Sequence, residues 1–177
     1  MHTEYEVRVL EVNKEEIIKK LELLNAKKVG DWNQKRYVYD LKPKKEGEWI
    51  RLRTNGEIAT LTYKNVYSNT IDGTKETEII VSDFENTNQL LNNIGFIPRS
   101  YQENKRIQYI LDDVEIDIDT WPMIPDYLEI EGNSVEKVEK MLKKLELDKC
   151  QITTLSPQDV YIETYGIDIN NIKELKF

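Results

Sequence analysis

The sequence predicts an α+β domain with roughly eight strands, mostly antiparallel, and four helices. Three observations lead to this prediction. Apolar and charged residues alternate with period two in several short segments, as expected of strands with two different faces. The pairs Asn55-Gly56 and Asp72-Gly73 separate consecutive strand segments, which is typical of tight turns. Segments with helix caps and helical apolar spacing interrupt the strands.

The first strand sets a pattern that later strands repeat. In residues 1–9, Glu4, Glu6 and Arg8 fall on one face of a strand, and Tyr5 and Val7 fall on the other. Charges on an isolated strand usually face solvent. The interpretation therefore depends on whether the other strands carry the same pattern with signs that make chemical sense together.

Four helices are predicted from caps and apolar spacing. Asn13 begins the first with a Glu three residues later, which is a capping box, and Gly30 lies just past its end. Ser134 caps the third, and Ser156-Pro157 is a favourable start for the last. The predicted helices cover about 13–30, 86–95, 134–147 and 156–166.

The remaining strands are predicted from the alternation between these turns and helices. Each combines β-branched, aromatic or leucine residues on one face with polar residues on the other. The predicted strands cover about 32–41, 47–54, 57–64, 75–82, 102–111, 114–121 and 126–132.

The composition limits the possible functions. The 177 residues fit one domain, and the charged fraction of 33% is high, which suits a fold with charge inside as well as outside. The net charge of −8 argues against a broad nucleic-acid-binding surface. The single cysteine, Cys150, excludes an intrachain disulfide and a multi-cysteine zinc site, and we expect it to be buried. Since the sequence shows neither an apolar leader nor a run of membrane length, we expect a cytoplasmic protein without membrane partners.

Charged residues on the polar faces of the strands form two sets of opposite sign, and each strand carries mostly one sign. The basic set is Arg8, Arg36, Arg51, Arg53, Lys64 and Arg106. The acidic set is Glu4, Glu6, Glu76, Glu78, Glu115, Asp117, Asp119, Glu129 and Glu131. A sheet with one wet face would give this alternation, and so would a barrel whose charged face points inward.

A barrel with both sets inside would need compensating ligands. Two like charges about 4 Å apart repel by about 4 kcal/mol at an effective dielectric constant of about 20. The planar guanidinium group binds phosphate oxygens in pairs, and carboxylates without His or Cys favour Mg²⁺ or Mn²⁺ over zinc. If the charged face lies inside, the two sets therefore indicate a complex of a polyphosphate with a divalent metal.

Several blocks of the sequence resemble, in order, the motifs of the CYTH superfamily, the triphosphate tunnel metalloenzymes. The stretch Glu4-x-Glu6-x-Arg8 resembles the N-terminal Glu-x-Glu-x-Lys signature of that family. Further blocks follow at Trp49–Arg53, Leu61–Lys64, Lys75–Glu78, Lys105–Tyr109, Ile116–Asp119 and Tyr127–Glu131. The resemblance covers about residues 1–145.

The resemblance implies a single domain over residues 1–177 that contains an eight-stranded antiparallel β-barrel with flanking helices. The barrel and its helices would occupy about residues 1–145. A C-terminal segment, about 150–177, carries apolar residues, and we expect it to dock either on the barrel or on a second subunit. A homodimer is therefore one expectation of the sequence.

The resemblance also implies roles for the charged residues. Basic side chains would grip a triphosphate, and carboxylates would hold one or two divalent metals, Mg²⁺ or Mn²⁺. The implied triphosphate ligands are Arg8, Arg36, Arg51, Arg53, Lys64 and Arg106, with Arg8, Lys64 and Arg106 as candidate catalytic residues. The implied metal ligands are Glu4, Glu6, Glu76, Glu78, Asp117, Asp119, Glu129 and Glu131.

Several of these assignments have alternatives. Glu76 and Glu78 could pair with the basic residues instead of binding metal. Arg36 stands where the family often has an acidic residue, and it either widens the triphosphate grip or pairs with Glu6. Arg8 replaces the signature Lys. Because Arg does not deprotonate in proteins, we expect Arg8 to stabilise charge and not to activate water as a base.

The predicted function is divalent-metal-dependent hydrolysis of a nucleoside, thiamine or inorganic triphosphate. Hydrolysis needs only water, and the sequence shows no evident adenine-reading motif. One alternative is a class IV-type adenylate cyclase, which makes cyclic AMP from ATP. Another is a module that binds a polyphosphate or nucleotide without turning it over. The expected partner is in each case a small triphosphate-containing molecule and not a nucleic acid.

Overall fold

The computed structural model describes residues 1–177 and contains ten strands and four α-helices. The strands are β1 (His2–Val9), β2 (Lys27–Asp40), β3 (Glu48–Thr54), β4 (Ala59–Val66), β5 (Thr74–Val81), β6 (Ser100–Leu111), β7 (Val114–Thr120), β8 (Tyr127–Gly132), β9 (Ile152–Thr153) and β10 (Glu174–Leu175). The helices are α1 (Lys14–Leu23), α2 (Phe84–Asn93), α3 (Val135–Lys144) and α4 (Pro157–Asp159). No helix has the length and apolar character that crossing a bilayer requires.

The eight long strands close into an antiparallel barrel, which confirms the predicted fold class. Around the ring the order is β6–β2–β3–β4–β5–β1–β8–β7, and β7 pairs with β6 to close it. The two-residue strands β9 and β10 lie outside the ring and pair with β1 and β6. Closure leaves the long strands with partners on both sides, so the sheet has little exposed edge.

The strand register brings charges of opposite sign together on the inner face. Arg8 of β1 lies opposite Glu129 of β8, and Arg106 of β6 lies opposite Asp119 of β7. Residues directly opposite each other in antiparallel strands have Cβ atoms about 4.5–5.5 Å apart. The period-two charges of the sequence therefore become a continuous inner wall.

The outer face of the barrel packs under α1 and α3. Val7 and Val9 of β1 belong to a cluster of 17 buried residues that also contains Leu21 of α1 and Val138 of α3. Burying each aliphatic side chain contributes about 1.5–3 kcal/mol. This core holds the first strand with its charged residues pointing into the barrel, as the sequence predicted.

The first helix ends earlier than predicted. It stops at Leu23, and Asn25 adopts the left-handed conformation with φ of 57°, which commonly ends a helix. Gly30, predicted to follow the helix, lies within β2, where the pairing with β6 shifts register between Lys28 and Gly30. A Cβ atom at Gly30 would lie 2.0 Å from the Trp32 ring, so glycine is required for close packing at this bulge.

The C-terminal segment packs against one end of the barrel. Its residues Tyr161, Ile169 and Leu175 are buried together with Trp121 and Tyr127 in a second cluster of eight residues. The predicted last helix is α4 followed by a π-helical turn, Val160–Thr164, and the chain leaves it at Gly166 with φ of 68°. The segment therefore covers part of the barrel mouth formed by the ends of β1 and β7.

Cys150 is exposed, so the prediction that it would be buried is wrong. It lies in the loop between α3 and β9, where its amide donates a hydrogen bond to the Leu147 carbonyl. A loop residue that follows the last buried leucine of the helical region has no apolar surface left to pack against.

Candidate functional site

The barrel encloses a cavity of about 1270 Å³ with a strongly polar lining. Only six of its 37 lining residues are hydrophobic. Every residue predicted for the site lines this cavity except Asp117, which is buried and bonded to Arg106 at 2.5 Å. The alternation in the sequence therefore reflects a charged lumen and not a wet outer face.

Arg36 is a buried cation without a carboxylate partner. It is 5% exposed, and its guanidinium group donates to the amide oxygens of Gln34, at 3.1 Å, and Asn104. The guanidinium carbon lies 4.5 Å from the centre of the Trp121 ring, in a cation–π arrangement. The alternative in which Arg36 pairs with Glu6 is wrong, because Glu6 bonds to Arg8 instead.

Arg51 and Arg53 extend this positive region along β3. They share one carboxylate, Glu78, with N–O distances of 3.4 and 3.8 Å. Burial and the nearby Arg51, Arg53 and Arg106 lower the pKa of Arg36 to about 9. Arg51, together with burial, lowers the pKa of Arg53 to about 10. Arg36, Arg51 and Arg53, termed here the arginine trio, therefore form a positive region in which Glu78 is the one carboxylate within salt-bridge distance.

Arg106 is in the opposite situation, because three carboxylates surround it. It bonds to Asp117 at 2.5 Å, to Asp119 at 2.6 and 2.8 Å, and to Glu129. Burial alone would lower the pKa of Arg106, but these carboxylates outweigh it and raise the pKa. Arg106 therefore organises acidic side chains, and its role as a triphosphate ligand stays a prediction.

Arg8 bridges acidic residues and the C-terminal segment. Its guanidinium group bonds to Glu129 and, at 3.0 Å, to Glu6, and it donates to the Leu155 carbonyl at 2.7 Å. Burial lowers the pKa of Arg8, but Glu129 and Glu6 together raise it above its ordinary value. Arg8 therefore stays protonated, which fits the expected role in stabilising charge.

Lys64 is held by two carboxylates of the first and fifth strands. Its ammonium group lies 2.9 Å from both Glu4 oxygens and 3.3 Å from a Glu76 oxygen. Burial and the neighbouring Glu76 raise the pKa of Glu4, and Lys64 partly offsets both. Glu76 is thus a partner of a basic residue in this structure, as is Glu78.

Glu131 lacks a basic partner, just as Arg36 lacks an acidic one. It has no hydrogen bond or salt bridge to any basic side chain, in contrast to Glu129 two residues earlier on β8. Burial, followed by the charges of Glu4, Glu6 and Glu115, raises the pKa of Glu131 to about 9. This end of the lumen, where Glu131 lies near Glu4, Glu6 and Glu115, therefore favours either a proton or a cation at Glu131.

The donor chemistry at this acidic end fits a divalent cation, although no three acidic side chains are already arranged as a metal-binding group. Glu4, Glu6 and Glu131 offer only hard carboxylate oxygens, which Mg²⁺ and Mn²⁺ prefer. A bound cation would also allow Glu131 to ionise. Glu131 is the one predicted ligand without a basic partner, since Glu4 bonds to Lys64 and Glu6 to Arg8. The other predicted ligands, Glu76, Glu78, Asp117, Asp119 and Glu129, also bond to basic side chains. The metal ligand set stays a prediction.

We expect Glu131→Gln to stabilise the metal-free protein at neutral pH. The folded protein keeps the buried Glu131 carboxyl protonated, whereas the unfolded chain ionises it freely, and Gln removes this difference. In EDTA the Tm of the variant should rise by about 2–4 °C, the shift that 1 kcal/mol produces in a domain of this size. Mn²⁺ should raise the Tm of the wild type by preferential binding to the folded state, and should raise that of the variant less. Glu139→Gln, on the exposed face of α3, is the matched control. A lower Tm for Glu131→Gln in EDTA, or equal stabilisation of both proteins by Mn²⁺, would contradict this assignment.

Sequence reasoning missed the neutral polar and aromatic side chains of the lumen. Trp121 and Tyr127 are buried and line the cavity, and Asn104 bonds to both Arg36 and Asp119. Their positions were in phase with charged residues of the same strands, as Tyr127 is with Glu129. Their period-two positions could have indicated that they face the lumen. They were not selected because aromatic and amide side chains are uncharged, and the prediction relied on charged residues.

A closed antiparallel barrel with both charge sets facing its cavity defines a tunnel-type β-barrel protein. The family model of the CYTH domain matches residues 2–161. The chain therefore belongs to the CYTH domain family, which confirms the resemblance of its motifs. No curated protein sequence matches the chain.

Solved structures show the same fold. PH1012 from Pyrococcus horikoshii OT3 is 25% identical, with a TM-score of 0.75 over 86% of this chain and 96% of that chain. A protein from Vibrio parahaemolyticus, provisionally described as an adenylate cyclase, is 14% identical, with a TM-score of 0.76 over 90% and 97%. HpAC1 from Hippeastrum, provisionally described as an adenylyl cyclase with a dominant triphosphatase activity, is 14% identical, with a TM-score of 0.61 over 94% and 97%.

Proposed function

We propose that the protein binds a triphosphate in the barrel cavity and hydrolyses it with the help of Mg²⁺ or Mn²⁺. The observation that carries this proposal is the arginine trio, in which the pKa of Arg36 is lowered to about 9 and that of Arg53 to about 10 by burial and by the neighbouring arginines. Three guanidinium groups with a single paired carboxylate, Glu78, favour a multivalent anion as the ligand. A triphosphate would supply the missing negative charge, and each charge-assisted contact contributes about 1.5–3 kcal/mol.

The trio supplies what phosphoryl transfer most needs. Catalysis of this reaction depends on positioning the phosphate chain. It also depends on neutralising the negative charge that shifts between the phosphate oxygens during the reaction. Guanidinium groups do both, because their planar donors engage two phosphate oxygens at once. Arg8 stays protonated beside Glu129 and Glu6, so it contributes positive charge to the lumen and takes up no proton.

Glu4, Glu6 and Glu131 would hold the divalent cation. When bound, such a cation supplies charge neutralisation at phosphate oxygens and lowers the pKa of water. The ion pairs of Lys64 with Glu4, at 2.9 Å, and with Glu76, at 3.3 Å, would keep the acidic end close to the phosphate-binding end. The remaining carboxylates, bonded to Arg106, form the wall between the two regions.

The character of the cavity supports hydrolysis over cyclisation. A polyphosphate chain suits a lining in which only six of 37 residues are hydrophobic, and the sequence shows no evident adenine-reading motif. The dominant triphosphatase activity ascribed to HpAC1 is in line with this preference. The adenylate cyclase description of the Vibrio parahaemolyticus protein keeps cyclisation as the second candidate.

The products distinguish these functions. We expect the purified protein with Mg²⁺ or Mn²⁺ to release orthophosphate from at least one of ATP, thiamine triphosphate and inorganic tripolyphosphate, and to release none in EDTA. Cyclic AMP with pyrophosphate as the main products from ATP would establish the cyclase instead. Calorimetric binding of a triphosphate without any product under either metal would establish a non-catalytic binding module.

A further inference from the structure

Three large tyrosines are completely buried, and one of them differs from the other two. The hydroxyl of Tyr39 donates to the side-chain oxygen of Asn88 at 3.0 Å, and that of Tyr161 donates to the Pro122 carbonyl. Tyr127 is 1% exposed, and its hydroxyl has no hydrogen-bond partner in the protein. Buried tyrosine hydroxyls normally have a partner, since an unmade bond costs free energy. Tyr127 is therefore an exception that requires an explanation.

The same end of the cavity holds a second unpaired donor. Trp121 is 3% exposed, and its indole N–H also lacks a partner. Both residues line the cavity and belong to one buried cluster. The Nε atom of Arg36, whose guanidinium group stacks on the Trp121 ring, is unpaired as well. Three buried donors without a protein acceptor thus belong to residues that line the cavity.

The nearby acceptors are already engaged. Tyr127 lies opposite Asp119 in the register of β7 and β8, and Glu129 follows it on the same face of β8. Arg106 bonds to both carboxylates, and Arg8 bonds to Glu129. A tyrosine hydroxyl carries its proton at neutral pH, so Tyr127 offers a hydrogen-bond donor here.

The C-terminal segment fixes the position of the indole. Tyr161 packs edge-on against Trp121, with ring centroids 6.2 Å apart and an interplanar angle of 75°. Its hydroxyl bonds to the carbonyl of Pro122, the residue after Trp121. The indole N–H is therefore held in place by packing, and is not free to turn towards another acceptor.

We propose that the Tyr127 hydroxyl and the Trp121 indole N–H bind the ligand by donating hydrogen bonds to an oxyanion group that Arg36 also contacts. The inference rests on the proposed function, and it adds two neutral donors to the charged residues of the site. Phosphate oxygens accept hydrogen bonds and donate none, so they complement a group of three unpaired donors. Neutral donors also fix the direction of approach without adding to the repulsion within the arginine trio.

The test compares two tyrosine variants that lose the same atom. Tyr127→Phe and Tyr39→Phe each lose one buried hydroxyl, and inorganic tripolyphosphate is titrated calorimetrically into each protein in EDTA, where turnover is absent. We expect Tyr127→Phe to weaken binding by about tenfold or more, as for loss of a hydrogen bond to a charged group. Its Tm without ligand should stay the same or rise, because no protein hydrogen bond is lost. Tyr39 does not line the cavity, so Tyr39→Phe should bind like the wild type but melt at a lower temperature, since the hydrogen bond to Asn88 is lost.

Trp121→Phe provides a second measurement. The phenyl ring keeps an aromatic face for Arg36 but has no N–H, so tripolyphosphate binding should weaken. The Tm without ligand measures separately how much stability is lost because the smaller ring packs less well. Wild-type affinity in Tyr127→Phe, or equal weakening in Tyr127→Phe and Tyr39→Phe, would overturn the inference and leave the proposed function intact. If the wild type itself does not bind tripolyphosphate, the proposed function fails, and this inference fails with it.

Discussion

The double variant Arg51→Gln/Arg53→Gln is expected to lose tripolyphosphate binding almost completely. The two guanidinium groups lie side by side on β3 and share only Glu78, at 3.4 and 3.8 Å, so most of their charge is available to a ligand. Losing two charge-assisted contacts of about 1.5–3 kcal/mol each would weaken binding by about a hundredfold to ten-thousandfold. Calorimetric titration in EDTA measures the loss directly, and release of orthophosphate with Mg²⁺ should fall in parallel.

The matched control removes the same number of positive charges as Arg51→Gln/Arg53→Gln, but at residues that do not line the cavity. Lys140 and Lys143 are exposed on α3, and Lys140→Gln/Lys143→Gln removes the same two positive charges. The control should bind tripolyphosphate nearly as the wild type does. Because the two arginines repel each other and Arg36, the Arg51→Gln/Arg53→Gln variant should not melt earlier than the wild type. Equal affinities in the two double variants would show that the arginine trio is not the phosphate-binding site.

Arg106→Gln is expected to cause the largest loss of stability. The change leaves the buried carboxylates of Asp117, Asp119 and Glu129 without the cation that bonds to all three. Breaking a buried ion pair by removing one partner typically costs about 3–5 kcal/mol, and here one cation serves three anions. Denaturant unfolding at neutral pH should therefore show a free energy of unfolding lower by at least this amount. Arg99→Gln breaks a partly exposed pair with Asp40 at 3.3 Å, and it should cost less than about 1 kcal/mol.

The stability defect of Arg106→Gln should shrink in acid. Burial raises the pKa of Glu129, but Arg8 and Arg106 outweigh it and hold the pKa below its ordinary value of 4.5, so this group stabilises the fold above that value and loses the contribution as pH falls. Burial raises the pKa of Asp117 above 3.8 even beside Arg106, so its cost grows as pH rises past that value. Without Arg106, protonation of these groups in acid removes the uncompensated charge. A defect that is constant from neutral pH down to the ordinary carboxyl pKa would contradict the assignment of Arg106 as their shared counter-ion.

Period-two patterning was sufficient to predict the barrel and its inner face. The alternation of Glu4, Glu6 and Arg8 with apolar residues is a local property, because each strand residue points to the opposite face from its neighbour. The same holds for Arg51 and Arg53 on β3. Residue type then indicated the ligand chemistry, since guanidinium and carboxylate groups differ in what they bind. These features could be read without knowing how the strands pair.

The pairing inside the lumen could not be predicted, because it depends on register and on the tilt of the strands. Nothing local indicates that Arg106 contacts three carboxylates while Arg36 contacts none. Nor did the local sequence indicate that the first helix ends before Asn25 or that β2 has a bulge at Gly30. The two-residue strand β9 forms only because β1 is already in place beside it.

The position of β1 between early and late parts of the chain has a consequence for biosynthesis. Arg8 and its partner Glu129 are 121 residues apart, and β1 completes the ring only by pairing with β8. Contacts so distant along the chain make folding slow and leave the nascent chain with unpaired strand edges until β8 is made. The lumen therefore does not exist until β8, which ends at Gly132, has left the ribosome. Closing the barrel and assembling the charged site are then the same event.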